Sequence, residues 1–166
     1  MIVRPLQRED AKVAFSCGER ELDAYFAKRA WPHVRDGIAT AFVLEDPASP
    51  RVIAGFYTLS SKSVDAAVLA SQLPKSAPRF PLPVTYIGCF AVATPYQGRG
   101  LGQLLMGDAL QRALVAAEQV GSVGVFLDSL NSRSTAFYRT LGFVELLPFV
   151  ADHQPMFMAM EMLRQV

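Results

Sequence analysis

The chain has 166 residues, 51% hydrophobic and 19% charged, with two cysteines and a formal net charge of +1. That length predicts one domain able to bury about two thirds of its extended surface, and the composition excludes a disordered or collagen-like chain. Cys17 and Cys89 are far apart and in no CxxC pair, which excludes a disulfide framework and a cysteine-rich zinc module. The longest apolar runs, such as 66–70, fall far short of a membrane span, and residues 1–6 lack a signal-peptide core, so a cytoplasmic protein is expected. Twelve of the sixteen basic residues are Arg, a bias compatible with anionic ligands, but no global basic field points to nucleic acid.

Ile2 to Leu6 predicts a short first strand. Ser16 and Glu19 have the spacing of a capping box, and Leu22, Tyr25, Phe26 and Ala30 follow at helical spacing until Pro32 and Gly37. Ile38 to Leu44 and Val52 to Ser60 read as two strands around the turn Asp46 to Pro50. A short helix is expected within 64–73, then a stiff connector carrying Pro74, Pro78, Pro81 and Pro83. Val84 to Ala93 is nearly all apolar and reads as a strand buried on both faces. Leu101 to Glu118 carries two adjacent apolar columns, Leu101, Leu105, Ala109, Ala113 and Met106, Leu110, Leu114, and so predicts an amphipathic helix. Val123 to Leu127 is a short strand. Asn131 or Ser132 can cap a helix reaching Leu141, which Gly142 and Phe143 stop. Phe143 to Val150 and Met156 to Met162 complete the order as strands, with Met156, Met158, Met160 and Met162 on one strand face. The whole reads as a mixed α/β sandwich around a central sheet.

The informative segment runs from Phe90 to Gly102. A buried strand enters a loop with glycines at 98, 100 and 102, and a long helix leaves it. Glycines allow tight turning and close approach of an anion, and the free amides and dipole of a helix start favour phosphate oxygens. The loop is therefore a candidate pyrophosphate cradle. It lacks the Lys-Ser or Lys-Thr of a Walker A loop, and Gln103 stands where a dinucleotide fingerprint needs its third Gly. A purely structural tight turn stays open from the residues alone.

Gln97-Gly98-Arg99-Gly100-Leu101-Gly102 resembles the Q/R-x-x-G-x-G/A loop of the GNAT N-acetyltransferases. Asn131 to Phe143 resembles that family's N-x-x-A-x-x-F/L-Y-x-x-x-G-F helix, with Ser134 where Ala is usual. The similarity extends over essentially the whole chain. It implies the GNAT fold, a single α/β domain over 1–166 whose central, mostly antiparallel sheet has splayed strands flanked by helices, with acetyl-CoA as co-substrate and no metal. It further implies that the strand segment Phe90-Ala91-Val92 pairs with the pantetheine arm through backbone groups of Phe90 and Val92. The amides of Gln97, Gly98, Arg99, Gly100, Leu101 and Gly102 would hold the pyrophosphate, Asn131 would touch the pantetheine or thioester region, and Tyr138 would protonate the leaving thiolate. A phenol, with a pKa of about 10, is protonated at neutral pH and can serve as that acid.

The N-terminal half has a narrower resemblance. Phe15-Ser16-Cys17-Gly18, Leu22-Asp23-Ala24-Tyr25 and Gly55-Phe56-Tyr57-Thr58-Leu59-Ser60 are similar to the pattern of GNAT toxins of bacterial toxin–antitoxin pairs. This implies acetylation of the α-amine of aminoacyl-tRNA and neutralisation by a ribbon-helix-helix antitoxin, with a homodimer left open. Cys89 stands where that group usually carries Arg, and Phe90 where it carries Leu. With a net charge of only +1, tRNA affinity would come from a local face of Arg4, Arg8, Lys12, Arg20, Lys28, Arg29, Arg35 and Arg79, interleaved with Glu9, Asp10, Glu19 and Glu21. No His or acid in these motifs is an obvious general base. An α-amine suits that lack, being roughly 10–17% neutral at pH 7 against about 0.04% for a lysine amine. A GNAT enzyme acting on a small-molecule or protein amine and a non-catalytic acyl-CoA-binding module are the alternatives. Cys17 and Cys89 read as structural rather than nucleophilic, and His33 and His153 as isolated residues without metal-ligand spacing.

Overall fold

The computed structural model describes residues 1–146 and 153–165. Seven strands are assigned among them: β1 (Ile2–Pro5), β2 (Thr40–Glu45), β3 (Ile53–Val64), β4 (Leu82–Val92), β5 (Gly124–Ser129), β6 (Val144–Glu145) and β7 (Gln154–Ala159). The helices are α1 (Arg20–Lys28), α2 (Ala30–Arg35), α3 (Ala66–Leu69), α4 (Leu101–Ala117), α5 (Ser132–Thr140) and α6 (Met160–Arg164), with 3-10 turns at Arg8–Lys12, Ala70–Gln72 and Thr94–Tyr96. The sheet order is β1-β2-β3-β4-β5-β7-β6. β1 with β2, β2 with β3, β5 with β7 and β6 with β7 are antiparallel, whereas β4 and β5 are parallel. This is the mixed α/β GNAT architecture that the motifs imply. The chain clusters into two compact units, Met1–Ser60 with Gly88–Ala109 and Ser61–Ile87 with Leu110–Val166.

The first unit is organised by aromatic packing. Phe26 and Phe56 are fully buried with ring centroids 4.9 Å apart, and Phe15 lies 5.0 and 5.2 Å from the two. Interlocked rings of this kind stabilise beyond their buried area by about 0.5–1.5 kcal/mol per pair. Arg4 clamps three segments: its guanidinium donates to both oxygens of buried Asp10 at 2.9 and 3.0 Å and to Glu45 at 2.9 Å. Gly55 lets β3 approach β4 closely, because a Cβ there would stand 2.9 Å from the Ala91 carbonyl oxygen.

Ser16 and Glu19 form no capping box. The α1 N-cap is Glu19, whose side chain makes no cap bond, and Asp23 accepts instead from the Cys17 amide at 2.8 Å. The helix also breaks earlier than Pro32. α1 ends at Lys28, and α2 starts afresh at Ala30, with Pro32 in its first turn, where a missing amide costs no helical bond.

The second unit contains the β5–β7 ladder, six residue pairs from Gly124↔Ala159 to Ser129↔Gln154. Its core includes Val64, Leu69, Leu82, Phe126, Leu146 and Phe157. The Lys62 ammonium lies 4.5 Å from the Tyr86 ring centroid, and the Tyr86 hydroxyl donates to Asp128 at 3.0 Å.

Two further expectations change. β4 is not buried throughout: Leu82, Val84, Ile87 and Ala91 are buried, but Pro83 and Gly88 are exposed. The methionine stripe does not follow one strand. β7 ends at Ala159 and α6 begins at Met160, so Met162 is 49% exposed while Met156 is fully buried. Of the strand expected over 143–150, Val144–Glu145 forms β6, and positions 147–150 lie outside the described residues.

Candidate functional site

The glycine loop lies wholly in the first unit. β4 leads through the Thr94–Tyr96 turn to Gln97, and α4 starts at Leu101. Gly98 and Gly100 have φ of +75° and +77°. Side chains rarely tolerate that region, so glycine is required by conformation. A Cβ at either position would meet nothing within 4 Å, so the loop surface there is open. The opening of α4 leaves its first-turn amides without intrahelical acceptors, as at every helix start, and they are suited to an anion. The expected helix columns hold, with Leu105, Met106, Ala109 and Ala113 buried.

The Gln97 amide closes the preceding turn, donating to the Thr94 carbonyl at 3.3 Å, and its side chain acts on the loop. Its Nε2 donates to the carbonyls of Val92 and Cys17, each at 2.9 Å, and so braces the loop. Arg99 lies over the Tyr96 ring at 5.5 Å. Upstream, the amides of Cys89 and Ala93 donate toward β3, to Thr58 Oγ1 at 3.0 Å and to the Ala54 carbonyl at 2.8 Å. Strand alternation therefore turns the amides of Phe90 and Val92 away from β3, the direction in which a pantetheine arm could pair. Ala91 is the buried residue between them.

The second motif lies in the second unit. Asn131 is the α5 N-cap, its Oδ1 accepting from the Ser134 amide at 2.9 Å. The unusual Ser134 completes this cap: the Asn131 amide donates back to Ser134 Oγ at 3.2 Å. Ser129, 1% exposed at the end of β5, lies 2.8 Å from the Ser134 hydroxyl and 2.7 Å from that of Thr135. At the other end Gly142, with φ +104°, sends its amide to Arg139, and Phe143 sends its amide to Tyr138. These two bonds form a Schellman stop. Tyr138 is 8% exposed and is held edge-on by Phe137 at 5.4 Å and Phe143 at 5.9 Å.

Sequence reasoning missed a cluster in the first unit. The Tyr25 hydroxyl and His33 Nδ1 are 3.0 Å apart, although His33 reads as isolated in the sequence. Tyr25 and Cys89 pack against one apolar cluster. Burial pushes the Tyr25 hydroxyl up to about 12, with a further rise from Cys89 and an opposing effect of Arg29. Burial pushes the Cys89 thiol up to about 11, against the lowering effects of the Thr58 hydroxyl and Arg29. Cys17 is also pushed up to about 11, mainly by burial. Such thiols are poor nucleophiles at neutral pH, in keeping with a structural role.

Of the expected basic residues, Arg4 is taken by the Asp10 and Glu45 clamp, and Arg35 pairs with its neighbour Asp36 at 2.9 Å. Arg8, Lys12, Arg20, Lys28 and Arg29 are exposed in the first unit, and Arg79 belongs to the second. Among the described residues no group of three or more His, Cys, Asp or Glu could hold a metal ion, and no helix is long and apolar enough to cross a membrane.

A helix start with open, positive-φ glycines, fed by a strand whose alternate amides face away from β3, has the form of an anion-binding loop. Residues 6–143 match the model of the acetyltransferase (GNAT) family, and the chain belongs to that family of N-acetyltransferases. It is 36% identical over 136 residues to a tRNA-acetylating toxin of Mycobacterium tuberculosis, covering 81% of this chain and 79% of the relative. It is 32% identical over 155 residues to a probable toxin TacT of Sinorhizobium fredii, covering 87% and 84%. Among solved structures it is similar to AtaTR bound with acetyl-CoA, with a TM-score of 0.83 and 26% identity, covering 99% of this chain and 96% of the other.

Proposed function

We propose that this chain is the toxin of a bacterial toxin–antitoxin pair, a single GNAT domain over 1–166 that moves the acetyl group of acetyl-CoA to the α-amine of an aminoacyl-tRNA in the cytoplasm. The observation that carries acetyl transfer is the open, positive-φ loop at the start of α4, whose form suits a pyrophosphate. The tRNA acceptor is supported by the relatives named as tRNA-acetylating and probable toxins. A ribbon-helix-helix antitoxin is the proposed protein partner.

In this reading the amides of Gly98, Arg99, Gly100, Leu101 and Gly102 hold the pyrophosphate, with Gln97 bracing them. Phe90 and Val92 pair with the pantetheine arm. The amine attacks the thioester directly, and Tyr138 protonates the departing thiolate. Asn131 serves by capping α5 and so fixing the helix that carries Tyr138.

The test is induced expression of wild type beside Tyr138→Phe, with radiolabelled acetyl-CoA and total aminoacyl-tRNA in vitro. The expected result is growth arrest with label on tRNA. Turnover should fall roughly tenfold or more in Tyr138→Phe at nearly unchanged acetyl-CoA affinity. Normal growth with unlabelled tRNA would sink the toxin reading. Equal turnover of the two proteins would remove Tyr138 from the mechanism.

A further inference from the structure

We propose that Tyr25 and His33, beside Cys89 on β4, form the proton-accepting pair that frees the attacking amine; this rests on the acetyltransferase reading above. An amine acceptor is mostly an ammonium at neutral pH and cannot attack until it loses a proton. The glycine loop offers amides for an anion, and Tyr138 is assigned to the thiolate, so neither takes that proton.

The geometry of the first unit supplies an acceptor. The helix break at Arg29 starts α2 on a new axis and brings His33 back to Tyr25, with ring centroids 5.3 Å apart and Nδ1 3.0 Å from the hydroxyl. Tyr25 stacks over Phe56 at an interplanar angle of 6°, which fixes its ring. It packs with Cys89 against the same core, and Cys89 immediately precedes Phe90, whose amide faces away from β3. Tyr25 and Cys89 border one apolar cluster and act on each other electrostatically, which sets the pair near the stretch of β4 assigned to the pantetheine arm.

Tyr25 keeps its proton at physiological pH, since burial holds it well above neutral, and it therefore relays rather than stores charge. His33 Nδ1, 3.0 Å from the hydroxyl, is the acceptor for the proton that Tyr25 passes on. The ammonium gives a proton to Tyr25 Oη as Tyr25 passes its own to His33 Nδ1. The amine lone pair then forms the C–N bond, and the C–S bond breaks with its electrons on sulfur. Tyr138 protonates that sulfur, and the second proton lost by the nitrogen restores Tyr138 through water. His33 returns its proton to solvent. Tyr25 touches the amine and is the catalytic residue; His33 acts through it.

Arg29 joins α1 to α2, α1 carries Arg20, Glu21, Asp23 and Lys28, and Arg35 and Asp36 stand at the end of α2, where Arg35 and His33 both lower the pKa of Asp36. The 3-10 turn and β2 also pack on α2 and carry Arg8, Glu9, Asp10, Lys12 and Glu45, of which Asp10 and Glu45 are held by Arg4.

The test is a pH–rate profile of acetyl transfer to total aminoacyl-tRNA for wild type, His33→Gln and Tyr25→Phe, with acetyl-CoA affinity and Tm measured on each. Gln keeps an acceptor but cannot store a proton. The expected result is a fall of roughly six- to tenfold at pH 7 for both variants, recovering toward wild type by pH 9 as the free amine accumulates, at unchanged acetyl-CoA affinity. Wild-type rates at pH 7, or an equal loss at every pH with a lowered Tm, would overturn the pair. An inactive wild type would instead overturn the acceptor assignment on which the pair rests.

Discussion

The two motif regions are built on different principles. The glycine loop takes its form from backbone conformations that exclude side chains, with φ of +75° at Gly98 and +77° at Gly100. The start of α5 takes its form from side chains that bond the backbone, Asn131 and Ser134 capping reciprocally over buried Ser129. The first should therefore fail when atoms are added, the second when they are removed. Function is lost in either, in the first by reshaping a loop whose Gly98 and Gly100 face open space, in the second by loosening the helix that the cap holds.

The largest expected effect is on the loop. Gly98→Val with Gly100→Val forces two β-branched residues into a region costing about 1–2 kcal/mol each. Acetyl-CoA affinity measured by calorimetry should fall roughly 30-fold to 1,000-fold, while the open surroundings spare the core. If affinity stays within about threefold of wild type, the cradle assignment is wrong.

The strand that enters the loop gives the next effect. With the Cys89 thiol raised to about 11 from an ordinary 9.0, its thiolate fraction at pH 8 is lower by about a hundredfold. Alkylation followed by peptide mass spectrometry should be correspondingly slow and should rise about tenfold per pH unit without levelling below pH 10. A plateau near pH 8 would mark an activated cysteine and reopen a nucleophilic role.

The smallest effect tests the other side of the contrast. Asn131→Ala removes the cap and should cost about 1 kcal/mol, a drop of about 2–4 °C in Tm, with acetyl-CoA affinity little changed. Unchanged Tm with weakened cofactor binding would make Asn131 a ligand contact instead of a cap.

This contrast also explains what was legible in the sequence. Positive-φ glycines and N-cap residues act within a few positions of themselves, so the loop, the α5 cap and the Gly142 stop were readable from local pattern. The α4 columns were readable because a 17-residue helix repeats its period several times. The Tyr25–His33 pair was not, because Pro32 breaks the helix at Arg29, near the Lys28 carbonyl that its ring excludes, and the pair joins residues on either side of that break. The false capping box failed for a related reason: Asp23 captures the Cys17 amide, a competition between neighbours that spacing alone does not reveal. The β7–α6 junction was hidden because apolar residues continue across it unbroken. Arg4 looked like surface charge because Asp10 and Glu45, which hold it, lie 6 and 41 positions away.

The double grip of Gln97 has a kinetic consequence. Its amide nitrogen holds the end of β4 and the Cys17 carbonyl at once, so the loop is fastened before any cofactor arrives. A preorganised receptor forgoes the ordering entropy that a floppy loop surrenders on binding. Acetyl-CoA should therefore associate in a single fast phase, without a slow isomerisation. Cutting the grip, as in Gln97→Ala, should act on the speed and heat of capture more than on the chemistry that follows.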